Sequence, residues 1–173
     1  ATATDTFGVT FVISKTAYPT LDFTQPLNFI VHKGDAKDTE ADRSFTPSAT
    51  PSIWLKSGEA SVFKHLGAAS NFVVIHYQRP AGDYTGWGLH MWTGYDSATG
   101  GPVEWATPFL PTGEDAFGKV YQVPVVTAAG GLAYIMHNGD TKDLPSDQYL
   151  DFAQDGFEVW MLQSTPGYLL PMK

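Results

Sequence analysis

VVIHYQRPAGDYTGWGLHMW, residues 73–92, reads as two strands and the turn that joins them. The first part, with Phe72 before it, is rich in β-branched and aromatic residues, which favour strands. Arg79 to Gly86 then supplies Pro, two Gly and Asp, a cluster of turn formers. Strand character resumes from Trp87 to Trp92. Side chains of a strand alternate between faces, so Trp87, Leu89 and Met91 share one face and Gly88, His90 and Trp92 the other. The first set is large and apolar and suits a core. The second combines a glycine, an imidazole and an indole, a poor core but a serviceable half-polar platform.

Working outward, helical periodicity is scarce. Twelve Pro and 17 Gly interrupt nearly every window long enough for a helix. What remains is a series of short apolar or alternating runs bounded by turn formers, at 9–14, 27–32, 52–55, 72–77, 86–92, 120–126, 132–137 and 158–162. That pattern predicts an all-β fold, an antiparallel β-sandwich or barrel. Composition narrows the function. With a formal net charge of −8 and only ten Lys and Arg, the chain lacks the basic footprint of a nucleic-acid or anionic-membrane binder. It has no Cys, so disulfides, thiolate metal sites and Cys nucleophiles are excluded. No apolar run is long enough to span a membrane as a helix. Neutral ligands such as sugars stay open.

The chain also repeats itself. DTFGVTF at 5–11 resembles DAFGKVY at 115–121, LNFIVHKGDAKD at 27–38 resembles LAYIMHNGDTKD at 132–143, and Ile53-Trp54-Leu55 resembles Val159-Trp160-Met161. Three blocks in the same order predict a duplicated unit. Nothing before Asp5 corresponds to residues 72–92, so the reading is lopsided. Residues 1–64 are expected to be the C-terminal half of a first module, 65–70 a linker, and 71–173 a complete module. Half a sandwich leaves unpaired edges and an uncovered core face. Its missing strands are expected from an upstream fragment or a second chain.

The motifs IHYQRPAGDYTGWGLHMW, PTGEDAFG, HNGDTKD and FEVWMLQ, in this order, resemble carbohydrate-binding module family 41, the N-terminal starch-binding modules of bacterial pullulanases. The resemblance covers residues 70–168, with 5–63 similar to the back half of another copy. It implies a β-sandwich that binds α-glucans such as amylose, amylopectin, pullulan or glycogen without cleaving them. It also implies covalently attached catalytic domains in an extracellular, secreted or surface-attached bacterial enzyme, and no cofactor. The family's stacking aromatics fall at Trp92 and at His90, where several members carry Trp. Its sugar-binding Lys and Asp fall at Lys142 and Asp147. Lys37 and Asp42 stand at the same spacing in the first copy, a residual half-site without aromatics. Some members carry a further Trp in this loop, where this sequence has Gly139.

The remaining candidates read as structural. Trp87, Trp54 and Trp160 sit on apolar-flanked strands and are expected in the core; Trp105, in a loop, can cap a core or flank a site, with packing the expectation. Asp140, Asp143, Asp35 and Asp38 match no calcium loop and are expected to be solvated turn residues. Glu104, Glu114 and Asp115 are loop carboxylates of the kind a glycosidase needs, but no neighbouring His or apolar cage singles one out. Two rival readings stand beside α-glucan binding: a structural or assembly sandwich pair without its own ligand, and a fragment of an extracellular glycoside hydrolase.

Overall fold

The computed structural model describes residues 2–169, so the last four residues of the module expected at 71–173 lie outside the described residues. The chain divides into two compact units. One holds the chain up to Ser52 with Ser57–Val62, and the other holds Ile53–Lys56 with everything from Phe63 onward.

The first unit contains β1 (Ala3–Thr4), β2 (Val9–Thr10), β3 (Leu27–Phe29), β4 (His32–Lys33), β5 (Ala36–Lys37) and β6 (Arg43–Phe45). They pair as three small antiparallel ribbons, β1 with β2, β3 with β6 and β4 with β5. The turn after β1 closes because the Asp5 carboxylate accepts from the backbone N–H of Phe7 and of Gly8, an Asx-type turn. Buried Arg43 donates to Asp38 at 2.7 Å, and Ser57 donates to the same carboxylate at 2.7 Å. The strands predicted here are shorter than the sequence suggests. The run 9–14 keeps only β2, the run 27–32 splits into β3 and β4, and 52–55 is reduced to a single bridge between Trp54 and Phe63. A strand extends only as far as a neighbour satisfies its N–H and C=O groups.

The second unit opens with α1 (Leu66–Ser70), so the predicted linker is a helix rather than an open connection. Its Ala69 is buried, and its C-cap Asn71 adopts a left-handed φ of 58°, which ends the helix and turns the chain into the next strand. Then follow β7 (Phe72–Gln78), β8 (Gly88–Met91), α2 (Ser97–Gly100), β9 (Gly113–Glu114), β10 (Lys119–Pro124), β11 (Gly131–Asn138), β12 (Thr141–Lys142), β13 (Gln148–Asp151) and β14 (Glu158–Leu162). One sheet has the order β14-β7-β10-β9; in the other, β11 is central, with β8 along one stretch and β12 and β13 along others. The predicted antiparallel sandwich holds with one exception. Strand β14 runs parallel to β7, because the chain crosses from one sheet to the other after β13.

Alternation builds the core. Val73, Ile75 and Tyr77 of β7, Tyr121 and Val123 of β10 and Val159 and Met161 of β14 face Leu89 and Met91 of β8 and Leu132, Tyr134 and Met136 of β11. Trp87 joins them, as predicted from its face. Fully burying one such side chain contributes about 1.5–3 kcal/mol. One polar group is built into this core. Tyr77 donates its hydroxyl to Asp143 at 2.7 Å, Arg79 donates to Tyr77 at 2.8 Å, and the Arg79 guanidinium lies 3.8 Å from the Trp87 ring centroid. Burial and the acceptor Asp143 both push the Tyr77 hydroxyl far above its ordinary pKa, so it remains a donor. Asp143 is thus a buried anchor and not the solvated turn residue expected, because Arg79 supplies the partner that a buried carboxylate needs.

Local pairings recur along the chain, between residues 3–63 and residues 113–169. The partners Ala3↔Thr10 correspond to Gly113↔Val120, Leu27↔Phe45 to Leu132↔Leu150, His32↔Lys37 to His137↔Lys142, and Trp54↔Phe63 to Trp160↔Leu169. Asp115 accepts from Phe117 and Gly118 as Asp5 does from Phe7 and Gly8. The surroundings differ. Tyr121 and Val123 are fully buried, whereas Phe11 and Ile13 at the matching positions are 66% and 44% exposed.

Candidate functional site

Strand β8 delivers the first two site residues. Leu89 and Met91 point into the core, which turns His90 outward, and Trp92 follows on the same side with its backbone N–H donating to the Ala133 carbonyl. Gly88 is required here. A Cβ would stand 2.8 Å from the Phe109 carbonyl oxygen and 2.9 Å from Pro108. Trp92 is 46% exposed, unusual for an indole with no partner to cover it. The His90 ring lies 5.9 Å from the Trp92 ring at an interplanar angle of 37°.

A third ring comes from a different loop. Glu104 and Thr107 bond to each other through both backbone groups, which puts Trp105 and Ala106 at the tip of a tight turn. Trp105 packs, but against histidines and not within the apolar core. It is half-exposed, stacks on His137 at 4.0 Å and 13°, and meets His90 edge-on at 5.6 Å. Its indole N–H donates to Asp140 at 3.2 Å. Trp92, His90 and Trp105 therefore form a connected, bent row of rings on the outer face of β8 and β11. The sequence left a flanking role for Trp105 open, since nothing local pairs a loop residue with a strand 30 residues away.

The polar part stands beside this row. His137 is fully buried and donates its Nδ1–H to the Gly139 carbonyl at 2.8 Å, which shapes the turn between β11 and β12. Register places Lys142 opposite His137, so their side chains share a face. The Lys142 ammonium lies 6.0 Å from the Trp105 ring centroid and 3.8 Å from the Asp147 carboxylate. Such a loose, exposed pair contributes little to stability and leaves both groups free to bond elsewhere. All four site residues expected from the sequence thus lie around one face, with Trp105 added. In the first unit, Lys37 and Asp42 pair at 3.1 Å and His32 reaches the Gly34 carbonyl at 2.9 Å. No indole stacks on His32 among the described residues.

Two other expectations change. Trp160 lies on the outer face of its sheet, stacked on His76 at 4.5 Å and 3°, and Trp54 is only half-buried. The position of Trp160 follows from strand parity, since Val159 and Met161 take the inward positions beside it. Asp115 does have a His neighbour. His76 places Nδ1 2.6 Å from Asp115 and Nε2 3.0 Å from Glu158. Backbone N–H groups of Gly118 and Phe117, with His76, hold the Asp115 carboxyl below its usual range, opposite to what a general acid requires. No group of three or more His, Asp and Glu converges as metal ligands among the described residues.

Comparison with known proteins agrees with this architecture. The family described as bacterial pullanase-associated domain matches residues 1–64 and again 71–169. An α-amylase of Streptomyces lividans is 37% identical over 123 residues, 69% of this chain, which spans only 13% of that relative's length. Among solved structures, family 41 carbohydrate-binding modules from streptococcal virulence factors, described for α-glucan recognition, superpose with a TM-score of 0.51. The identity is 11%, over 84% of this chain and 68% of that one. Ligand-free PulA from Klebsiella pneumoniae superposes with a TM-score of 0.50 at 24% identity, over 57% of this chain and 10% of PulA. These likenesses extend the fold to solved examples. The chain belongs to the bacterial pullanase-associated domain family.

Proposed function

We propose that the second unit binds α-glucans, the class that includes amylose, amylopectin, pullulan and glycogen, on the ring row of Trp92, His90 and Trp105. The observation that carries the reading is an exposed Trp92 continuous with two further rings and flanked by the Lys142–Asp147 pair. Aromatic rings offer the apolar face of a pyranose a large contact at small conformational cost. Lys142 donates and Asp147 accepts, so together they engage neighbouring sugar hydroxyls. The row is bent, with 37° between His90 and Trp92 and 68° between His90 and Trp105, which suits a curved chain better than a flat one. Binding of this kind tethers an attached pullulanase-type catalytic domain to its polymer and raises the local substrate concentration. Such an enzyme works outside the cell, secreted or held at the surface.

For residues 1–64 we infer the C-terminal half of a first module, completed by an upstream fragment or a second chain. The recurrent pairings support this, as do Phe11 and Ile13, exposed at the positions where β7 covers Tyr121 and Val123. This half retains Lys37 and Asp42 without stacking rings, so the full chain carries one glucan site.

Native gel electrophoresis in amylopectin tests the site. The wild-type chain is retarded, Trp92→Ala loses about 2 kcal/mol and with it the retardation, and Trp105→Ala loses part. Unretarded wild-type protein with every α-glucan sinks the proposal.

A further inference from the structure

Away from the ring row, one cleft of ≈ 600 Å³ opens between the 82–86 turn and the turn joining β9 to β10. Its size falls within the roughly 300–1,000 Å³ typical of ligand sites. We propose that this cleft is an extension subsite, which takes a further hexose unit of a long glucan already held on the ring row. The inference rests on the function proposed above.

Chemistry selects the ligand. Tyr84 and Phe117 present two half-exposed rings to the cleft. Tyr84 is fixed in place. Its oxygen accepts the backbone N–H of Arg79 at 3.0 Å, and its ring meets Tyr77 edge-on at 6.5 Å. Lys119 pairs with Glu114 on the cleft wall, and its ammonium lies 5.8 Å from the Tyr84 centroid. Lys119 and Glu114 offset each other. The Asp115 carboxylate on the same wall is already bonded to His76 and to two backbone N–H groups, so the cleft carries no excess positive charge to recruit an anionic ligand. Lys119 and Glu114 do offer a donor and an acceptor to a neutral polyol, the same combination of rings with a Lys and an acid that borders the ring row.

The repeat shows that this pair is not needed for the turn. At the positions matching Asp115, Phe117 and Gly118, the first unit keeps Asp5, Phe7 and Gly8 with the same side-chain caps. At the positions matching Glu114 and Lys119 it has Thr4 and Val9, yet the strands pair in the same register. Glu114 and Lys119 are therefore additions to a turn that closes without them.

Position links the cleft to the platform. Asn138 donates to the Thr85 carbonyl at 2.9 Å. Asn138 follows His137, on which Trp105 stacks, and pairs with Thr141, the neighbour of Lys142. The cleft and the Lys142 hairpin thus lie at one end of the sandwich, in reach of a continuous chain.

Calorimetric titration of the full chain with maltotriose and with a linear malto-decasaccharide tests the proposal. Lys119→Ala and Glu114→Gln should each weaken decasaccharide binding about fivefold, the worth of one hydrogen-bonding contact, and leave maltotriose binding unchanged. Backbone NMR signals of Tyr84 and Phe117 should shift with the decasaccharide and not with maltotriose. Trp92→Ala should weaken both ligands. Wild-type decasaccharide affinity in both cleft variants, with Tyr84 and Phe117 signals unmoved, overturns the extension subsite while leaving the platform intact. Unchanged binding of both ligands by Trp92→Ala overturns the platform itself.

Discussion

Residues 32–42 and 137–147 are two hairpins of nearly one sequence and one backbone, in very different surroundings. In each, the His side chain reaches a Gly carbonyl two residues on, His pairs with Lys across the strands, and Lys pairs with an Asp five residues later. In each, the Asp after the Lys donates its N–H back to the strand, Asp38 to Val31 and Asp143 to Met136. The environments then diverge. His137 is fully buried beneath Trp105, whereas His32 is exposed. Asp143 is locked between Tyr77 and Arg79, whereas the Asp38 carboxylate, which holds buried Arg43 and Ser57, is itself more exposed. Local sequence is enough to form the hairpin. A binding face needs rings brought by β8 and by the Trp105 turn, which no local sequence can supply.

That contrast is open to attack at several strengths. The strongest is to separate the units. A fragment of residues 70–173 should melt cooperatively, since the cluster from β7 to β14 is closed within it. A fragment of residues 1–64 should not, with Phe11, Val12 and Ile13 left in water. A cooperative calorimetric transition in the shorter fragment breaks the half-module reading. Next in size, Asp143→Ala leaves the Tyr77 hydroxyl and the Ser164 N–H without their acceptor, while Arg79 keeps Asp83, and should cost about 3 kcal/mol. Asp38→Ala, whose carboxylate is more exposed and whose loss leaves Arg43 its bond to the Glu59 carbonyl, should cost less, about 1–2 kcal/mol. Urea unfolding curves measure both, and equal losses would mean that the two hairpins are anchored alike. The smallest effect concerns binding alone. Lys142→Ala should weaken maltodextrin affinity about tenfold, the loss of one charge-assisted contact. Lys37→Ala should leave it unchanged. A loss in Lys37→Ala would place a working site in the first unit.

Much of this was legible beforehand for a physical reason. Alternation along 86–92 separated Trp87 from Trp92, and the structure puts the first in the core and the second in water. Turn formers and β-branched runs marked β7, β8, β10, β11 and β14 to within a residue or two. The errors share one cause. Trp105, Asp143, Trp160 and Asp115 were each read without the partner that decides them, and those partners are His137, Arg79 with Tyr77, and His76. None is close to its partner in the chain.

By itself the sequence determined the local elements and the faces of the strands. It also determined the Asx turns at Asp5 and Asp115, and the His–Gly–Asp–Lys hairpin, formed twice with the same bonds. These depend on backbone dihedrals and contacts a few residues apart. Only the tertiary structure decided which hairpin gains a ring platform, because stacking and burial depend on strands distant in sequence. It also decided that β14 runs parallel to β7, and that the predicted linker is the helix Leu66–Ser70. The same hairpin is a solvated turn in one unit and the polar edge of a row of rings in the other, according to what packs above it.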